Sequence, residues 1–396
     1  MKTIDDFHFK DKTALVRVDF NVPLKDGKVT DNTRIRRAKP TIDKIMNDGG
    51  KAVLMSHLGR PKGPDPKYSL KQIVDEVEKV LGRKVHFSEQ ITGPEAEAKA
   101  AALKPGEILL LENLRFDPRE KKGDPEFARQ LARLGDIYVN DAFGTAHRAH
   151  ASTAVIARYF PGRKAAGYLL ADEIKHINQV LHHARHPFTA IIGGAKISSK
   201  IGVIENLLNL VDNLVIVGGM AYTFLKALGY ETGRSLVEED YVDTARNIME
   251  KAKVNNIRLV LPVDIVVADQ FDPAARTRIV KADQIPADWM GLDIGPETAR
   301  IIHDVLMPSK TIVWNGPAGV FEWDKFAEGT KKIAESVARA TEKGAYSLVG
   351  GGDSVAAIEK YGLADKVSYI STGGGAMLEM LEGKTLPGIK ALEEDE

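Results

Sequence analysis

The sequence contains no cysteine among its 396 residues. This absence excludes disulfide bonds, thiolate metal sites and a cysteine nucleophile. The chain also has no excess of charge, because lysine plus arginine and aspartate plus glutamate each total 55. A balanced charge argues against a general polyanion binder, and the arginines of the first half lack interleaved aromatic residues. We therefore expect no nucleic-acid partner.

Long apolar runs are missing as well. No run reaches the ~20 residues that a membrane-spanning helix needs, and Met1–Phe7 lacks the apolar core of a signal peptide. We expect a cytoplasmic protein that has no membrane partner. The composition, 43% hydrophobic and 28% charged, is that of an ordinary soluble protein, and the length favours two or three domains.

Two common nucleotide-binding motifs are absent. The chain has no G-x-G-x-x-G sequence, which argues against a dehydrogenase built on a dinucleotide-binding domain. The tripeptide Gly383-Lys384-Thr385 resembles the end of a P-loop, but Leu378 stands where that motif requires its first glycine. If the chain holds a nucleotide, other glycine-rich loops must do so.

Short apolar runs recur along the chain and are separated by amphipathic stretches. This pattern predicts parallel strands buried between helices, although it leaves the order of the strands in a sheet open. The runs are Ala14–Val18, Ala52–Met55, Ile108–Leu111, Ile137–Val139, Ala190–Ile192, Leu214–Val217, Leu259–Leu261, Thr311–Trp314, Ser347–Val349 and Val367–Ile370.

A polar amphipathic stretch lies near the middle of the chain. Residues Tyr168–Arg185 predict one helix that ends before Pro187, because proline disfavours helical backbone in the residue that precedes it. Such a helix would be a rigid connector between two α/β halves. The late segment Leu386–Leu392 is apolar enough to dock on a domain.

The most informative segment is Gly193–Lys200, which follows the apolar run Thr189–Ile192 and precedes a helical pattern. Glycines allow backbone N–H groups to approach a ligand, and a helix N-terminus with lysines favours an anion. A similar loop, Gly350–Ser354, carries the acidic Asp353. Together, a cationic and an acidic loop suit a magnesium nucleotide. Either loop alone is explained equally well as an ordinary glycine turn.

Five glycine-containing loops follow strand candidates in the second half. Close backbone approach at all of them would build a floor of small residues under a flat base and its phosphates. The loops are Gly193–Lys196, Gly218–Met220, Asn315–Glu322, Gly350–Ser354 and Thr372–Gly375.

Basic residues follow strand candidates in the first half. Ligands of open α/β sheets bind beyond the carboxyl ends of strands, and the arginine fork matches carboxylate and phosphate oxygens. Singly, each of these residues is explained as a surface residue, but their shared placement predicts an anion pocket. They are Arg34, His57, Arg60, Arg115, His147 and Arg148.

Eight motifs, in order along the whole chain, resemble those of the phosphoglycerate kinase family. They are Arg17–Pro23, Ser56–Pro61, Glu112–Phe116, Asp141–His150, Gly193–Lys200, Asn315–Glu322, Gly350–Ser354 and Thr372–Gly375. The resemblance implies two Rossmann-like, three-layer α/β/α domains with parallel sheets, joined by a connector helix across an interdomain cleft. The implied ranges are 1–170 for the 3-phosphoglycerate domain, 171–187 for the helix, 188–384 for the nucleotide domain and 385–396 for a tail returning to the first domain.

The resemblance also implies a reaction and its participants. They are the reversible, Mg²⁺-dependent phosphoryl transfer of glycolysis from 1,3-bisphosphoglycerate to ADP, giving 3-phosphoglycerate and ATP, in a monomer that bends at a hinge. The implied substrate-binding residues are Asp19, Asn21, Arg34, His57, Leu58, Gly59, Arg60, Arg115, His147 and Arg148. Those implied for the nucleotide are Gly193, Ala195, Lys196, Lys200, Gly219, Gly291, Leu292, Asn315, Pro317, Val320, Glu322, Gly351, Gly352, Asp353 and Ser354. Asp353 would hold the magnesium ion, and the implied catalytic residues are Arg34, Lys196, Gly373, Gly374 and Gly375.

A catalytically silent nucleotide- and anion-binding protein on the same fold is the alternative. Loss of Arg34, Lys196 or Asp353 would have indicated it, and all three residues are present.

Overall fold

The computed structural model describes residues 1–393. The chain divides into two compact units. The first unit comprises Met1–Ile174 together with the chain from Thr385 onward, and the second comprises Lys175–Lys384. Part of the predicted tail at 385–396 lies outside the described residues.

The first unit alternates strands and helices along the chain. Its strands are β1 (Thr13–Arg17), β2 (Leu24–Lys25), β3 (Lys28–Val29), β4 (Lys51–Met55), β5 (Val85–Ser88), β6 (Ile108–Leu111), β7 (Ile137–Asn140) and β8 (Lys164–Ala166). Its first helices are α1 (Thr33–Asn47), α2 (Val74–Leu81), α3 (Pro94–Ala101) and α4 (Pro125–Ala132), and α5 (Tyr168–Leu181) begins in it.

Six of these strands form one parallel sheet in the order β5-β6-β4-β1-β7-β8. Strand β1 lies at its centre, where Ala14 is in register with Ala52 on one side and Ile137 on the other. Strands β6 and β7 are buried along their whole length, as continuous apolar runs between helices require. This order brings the carboxyl ends of β4, β1 and β7 side by side.

The second unit has a larger set of elements. Its strands are β9 (Phe188–Ile192), β10 (Asn213–Ile216), β11 (Arg258–Val260), β12 (Asp264–Ala268), β13 (Thr277–Lys281), β14 (Met290–Ile294), β15 (Thr311–Asn315), β16 (Tyr346–Val349) and β17 (Tyr369–Ile370). Its helices are α6 (Ile201–Leu207), α7 (Ala221–Ala227), α8 (Val242–Val254), α9 (Pro296–Leu306), α10 (Glu328–Glu342), α11 (Gly352–Lys360) and α12 (Gly375–Leu381).

A second six-stranded parallel sheet has the order β11-β10-β9-β15-β16-β17. All ten predicted strand runs lie in the two parallel sheets, so the predicted fold class is confirmed. The antiparallel sheet β13-β12-β14 was missed. Strand β13 is largely exposed and therefore lacks the apolar run that marks a buried strand.

Helix α5 ends earlier than the sequence predicts, at Leu181 instead of Arg185. Tertiary hydrogen bonds replace the last helical turn, because the Arg185 N–H donates to the Thr311 hydroxyl at 3.0 Å. The boundary between the two units falls within this helix, between Ile174 and Lys175.

The last described helix, α13 (Pro387–Glu393), belongs to the first unit. The Gly388 N–H donates to the Ala146 carbonyl at 2.8 Å, next to the loop that follows β7. A Cβ atom at position 388 would lie 3.0 Å from Ala146 Cα, so only glycine permits this approach without displacement. No helix among residues 1–393 is both long and apolar enough to span a membrane.

Candidate active site

In the first unit, the loop after β1 meets the first turn of α1. Arg34 donates from one guanidinium nitrogen to Asp19 Oδ1 at 3.2 Å and to the Asn21 carbonyl at 2.9 Å. The Asn21 side-chain oxygen in turn accepts the Gly59 N–H at 2.9 Å, which ties this loop to the one after β4. The Arg34 side chain remains 41% exposed, so its other guanidinium nitrogens can reach a ligand.

The loop after β4 is held by residues that follow β6. The buried Asn113 side chain accepts the Leu58 N–H at 3.2 Å and donates to the Leu58 carbonyl at 2.7 Å. Arg115 donates to the Gly59 carbonyl at 3.0 Å. Gly59 has a φ of 62°, and a Cβ atom there would lie 2.6 Å from the Tyr68 ring. The left-handed backbone therefore favours glycine, and any larger residue would also have to displace the Tyr68 ring.

His57 is buried beside a buried arginine. Arg17 lies 3.1 Å from His57 Nδ1, and an arginine can only donate. The ring therefore carries its proton on Nε2. Burial, followed by the charges of Arg17 and Arg115, holds the pKa of His57 well below its ordinary value. The imidazole is neutral at physiological pH.

Sequence reasoning missed the buried network behind His57. Arg17 donates to the Ser152 hydroxyl at 2.9 Å and lies 3.9 Å from Glu120, and both charged side chains are fully buried. Glu120 also accepts the Ser152 hydroxyl at 2.5 Å. Arg17 and Ser152 are 135 residues apart, so only the fold brings them together.

His150 is a second residue that the sequence argument left out, although it ends a motif already singled out. It is buried, and its Nδ1 atom has no hydrogen-bond partner. Burial and then the charges of Arg115 and Arg17 lower the pKa of His150 to about 4. It is a neutral, uncommitted ring nitrogen beside cations.

The remaining basic residues lie in the same neighbourhood. Arg60 and Arg148 are exposed and His147 is partly buried. The charge of Arg60 acts on Arg115, and that of Arg148 acts on His150. Arg115 itself has a buried Nε atom without a partner, and burial and Arg17 lower its pKa. An anion placed here would relieve both the missing hydrogen bond and the mutual repulsion of the cations.

The second unit contains a cavity of about 510 Å³ beside several of the glycine loops. It is lined by eight residues predicted for the nucleotide, namely Ala195, Gly219, Gly291, Leu292, Pro317, Val320, Glu322 and Asp353. Five further lining residues were missed because they come from outside the glycine motifs: Tyr222, Arg234, Leu236, Phe271 and Met290. Apolar and aromatic walls with few polar groups are typical of a small-molecule site.

Backbone packs directly on backbone beneath this cavity. Gly193 donates to the Asn315 carbonyl at 2.8 Å, and Gly194 donates to the Pro317 carbonyl at 3.1 Å. A Cβ atom at Gly193 would lie 2.4 Å from the Pro317 oxygen, and one at Gly218 would lie 2.6 Å from the Gly194 nitrogen. Side chains cannot be accommodated at these contacts, so the glycines form the expected floor of small residues.

The other predicted nucleotide residues do not line the cavity. The Lys200 ammonium group donates to the Asn315 side chain, whose amide group donates to the Gly350 carbonyl at 2.8 Å. The Ser354 hydroxyl accepts the Gly316 N–H at 2.6 Å. Burial lowers the pKa of Lys200, while the charge of Asp353 opposes that shift. Gly351 has a φ of 97° and precedes α11, whose first residue is Gly352.

Two predicted charged residues are exposed to solvent in the segments that follow β9 and β16. Lys196 is exposed, and among residues 1–393 its ammonium group has no ion pair. Asp353 is exposed in the first turn of α11 and lines the cavity. Within the described chain, no three histidine or acidic residues form a metal cage. One carboxylate fits Mg²⁺, which takes few protein ligands and completes its shell with phosphates and water.

The predicted Gly373–Gly375 loop follows β17, at the same edge of the sheet. The Gly373 N–H donates to the Ser371 hydroxyl at 3.1 Å, and Gly374 has a φ of 48°. Gly375 is the first residue of α12.

Two parallel-sheet units, one with clustered cations and one with a glycine-floored cavity, are typical of a kinase that acts on a small anionic substrate. The family model described as phosphoglycerate kinase matches residues 4–384. The chain belongs to the phosphoglycerate kinase family and is a phosphotransferase of glycolysis.

Known relatives cover the chain almost completely. The phosphoglycerate kinase of Moorella thermoacetica is 56% identical over 99% of this chain and 99% of its own. That of Porphyromonas gingivalis is 53% identical over 99% of this chain and 100% of its own. The solved structure of phosphoglycerate kinase from Coxiella burnetii has a TM-score of 0.91 at 42% identity, covering 99% of this chain and 98% of that one.

Proposed function

We propose that this chain catalyses the reversible, Mg²⁺-dependent transfer of a phosphoryl group from 1,3-bisphosphoglycerate to ADP. The first unit binds 3-phosphoglycerate or 1,3-bisphosphoglycerate, and the second binds ADP or ATP. The observation that carries this proposal is that the two units contain different kinds of binding feature. Clustered arginines suit a small polyanion in one, and a glycine floor with Lys196 and Asp353 suits a magnesium nucleotide in the other.

The chemistry needs no general base. When ATP is the donor, a carboxylate oxygen of 3-phosphoglycerate attacks the γ-phosphorus, the bond to the bridging oxygen breaks, and ADP leaves with the electron pair. Carboxylates have reference pKa values near ~4 and are ionised at neutral pH. The neutral His57 and the partly buried His147 are therefore assigned to orienting substrate oxygens.

Catalysis then depends on alignment and on compensating charge over the transferred group. Arg34 and Lys196 supply that charge from the two substrate sites, and the Gly373–Gly375 loop adds backbone N–H groups. Arg60, Arg115 and Arg148 anchor the remote 3-phosphate of the substrate. Leu58 and Gly59 shape the same pocket through their backbone, as Asp19 and Asn21 do by positioning Arg34.

Asp353 would hold the magnesium ion, which neutralises charge on the nucleotide phosphates when bound. We expect Asp353→Asn to raise the Mg²⁺ concentration for half-maximal rate at least about tenfold, the lower end of the cost of disturbing a metal site. Binding of 3-phosphoglycerate, measured by calorimetry, should be unchanged, because its residues lie in the first unit. The exposed Asp365 provides a matched control, Asp365→Asn. Equal magnesium dependence in Asp353→Asn and the parent would reject this assignment.

Domain closure is a further expectation. The residues proposed for the two substrates belong to different units, so transfer requires the units to approach each other and exclude water, which would otherwise hydrolyse the acyl phosphate. Both ligands together should favour closure, because only then can contacts join the two sites. X-ray scattering with neither, either and both ligands, using a non-hydrolysable ATP analogue, should give the smallest radius of gyration with both. An unchanged curve in a verified ternary complex would contradict closure.

A coupled assay for ATP-dependent phosphorylation of 3-phosphoglycerate tests the function as a whole. Turnover that requires Mg²⁺ and both substrates supports the proposal. The alternative, a silent binding protein on this fold, would bind both ligands and show no turnover. We propose a cytoplasmic monomer; sedimentation of the purified chain would test the oligomeric state.

A further inference from the structure

Asp141, the residue directly after β7, contacts both the loop that it begins and the start of helix α5. Its backbone N–H donates to the Arg17 carbonyl at 2.9 Å, and the loop that carries His147 and Arg148 begins here. Its side-chain Oδ1 accepts the Leu169 N–H at 3.0 Å and the Leu170 N–H at 3.4 Å. These are amides of the first turn of α5, the helix in which the boundary between the units falls. One side chain thus joins residues 141–150, here called the substrate loop, to α5.

The Asp141 carboxyl group is buried, and only one of its two oxygen atoms has a hydrogen-bond partner. Asp141 is fully buried, and its Oδ2 atom has no hydrogen-bond partner. Gly167 makes the room, because a Cβ atom at that position would lie 2.1 Å from Asp141 Oδ1. A bare, buried carboxylate oxygen is costly, so this setting favours the protonated acid.

The groups around Asp141 leave its charge uncompensated. The pKa of Asp141 is raised to about 7, mainly by burial; the Thr41 hydroxyl of α1 and the two α5 amides oppose this rise, and the negative charge of Asp172 in α5 adds a smaller part of it. The guanidinium group of Arg17 in β1 is engaged with His57 and Glu120 instead.

Two more charged side chains lie buried in the neighbouring elements, Lys164 in β8 and Glu173 in α5. Neither Lys164 nor Glu173 is among the groups that shift the pKa of Asp141 most. Among the described residues, the charged group that shifts the pKa of Asp141 most is the acidic Asp172, and no basic side chain is among the main causes.

We propose that Asp141 is a positioning residue that fastens the first turn of α5 to the substrate loop, and that loss of its proton loosens this fastening. The proposal rests on the assignment of His147 and Arg148 to the substrate. In its neutral form the side chain is enclosed and holds the α5 amides. In its ionised form it gains by reaching water, which requires the turn to open. Binding at the substrate loop and order at the start of α5 are then coupled, and the coupling is reciprocal.

The sign of the pH effect follows from linkage. The pKa of Asp141 in the folded state is about 7, whereas the ordinary pKa of an aspartate side chain is 3.8. Between pH 3.8 and about pH 7, folding and closure of the first turn of α5 are each accompanied by uptake of a proton. Both therefore become less favourable as the pH rises, and this loss of stability is complete above about pH 7. Asp141→Asn mimics the neutral form and removes this dependence.

Hydrogen exchange of the intact protein measures the fastening directly. Protection of the Leu169 and Leu170 amides, corrected for intrinsic exchange, should fall about fivefold or more between pH 6 and pH 8.5 in the parent, the scale of a typical coupling between sites. Asp141→Asn should show a flat profile. Asp172→Asn, which leaves Asp141 in place, should shift the fall to lower pH. 3-Phosphoglycerate should raise protection at these amides in the parent and lose that effect in Asp141→Ala.

Asp293 offers a matched control in the second unit. It too is buried with its pKa raised to about 7 by burial, and it accepts N–H groups from Ile294 and Gly329. Asp293→Asn should leave exchange at the start of α5 unchanged. A pH profile shared by the parent and Asp141→Asn, or an unmoved profile in Asp172→Asn, would overturn the proposal. If 3-phosphoglycerate fails to bind the parent while the pH profiles differ as expected, the proposed function is wrong, but the role of Asp141 in holding the first turn of α5 to the substrate loop is supported.

Discussion

Replacing Lys196 with alanine should lower kcat by roughly 10²-fold or more, the scale of one lost transition-state donor. Lys196 follows the glycine turn after β9, is exposed, and has no ion pair for its ammonium group among residues 1–393. It is therefore uncommitted before the substrates meet and can respond to charge that develops during transfer. Because that charge is greatest in the transition state, nucleotide affinity should fall much less than kcat.

Steady-state kinetics and calorimetric ADP binding test this expectation for Lys196. Lys251→Ala is the matched control, since Lys251 is an exposed lysine of α8 in the same unit, 3.8 Å from Glu205. Near-normal turnover of Lys196→Ala, or a loss confined to ADP affinity, would reject the assigned role. Lys200 should behave differently, because its ammonium group already binds Asn315 and its removal would also disturb the loop after β15.

The second large effect is expected at Arg34. Arg34→Ala should lower kcat about 10²-fold or more, because in the proposed mechanism it removes a cation that faces the developing charge. Arg34→Lys should restore only part of the rate. The ammonium group of lysine keeps the positive charge, but it lacks the several nitrogen atoms with which the guanidinium group can bond Asp19 and Asn21 and still reach a ligand. The measurements are kcat, the KM for 3-phosphoglycerate and circular dichroism, which reports on α1.

Arg36 supplies the control for this helix. It lies two residues further along α1, is exposed, and bonds the Asn32 side chain at 2.7 Å and the Thr33 hydroxyl at 3.1 Å. Arg36→Ala should cost a little helix stability and leave kcat within about twofold, as surface substitutions usually do. Equal losses of rate in Arg34→Ala and Arg36→Ala would show that the effect comes from the helix end and not from the charge of Arg34.

Residues that signal a ligand through local chemistry could be predicted from the sequence. Glycines after apolar runs, such as Gly193 and Gly218, indicated close backbone approach, and the structure shows why no side chain fits there. Residues whose neighbours come from elsewhere could not be found. Phe271 and Arg234 line the cavity from segments that no motif marks, and Arg17 meets Ser152 only through the fold.

The sequence by itself determined ten of the twelve strands of the two parallel sheets, the loops that follow them, and the family; β5 and β8 were missed. These are local properties, because a strand buried on both faces needs a continuous apolar run and a tight loop needs glycine. Only the tertiary structure decided the order of the strands, which places Asn21 beside Gly59, and the state of ionisable groups such as His57 and Asp141. Burial and the charges of distant residues set those pKa values, and neither is written in the neighbouring sequence.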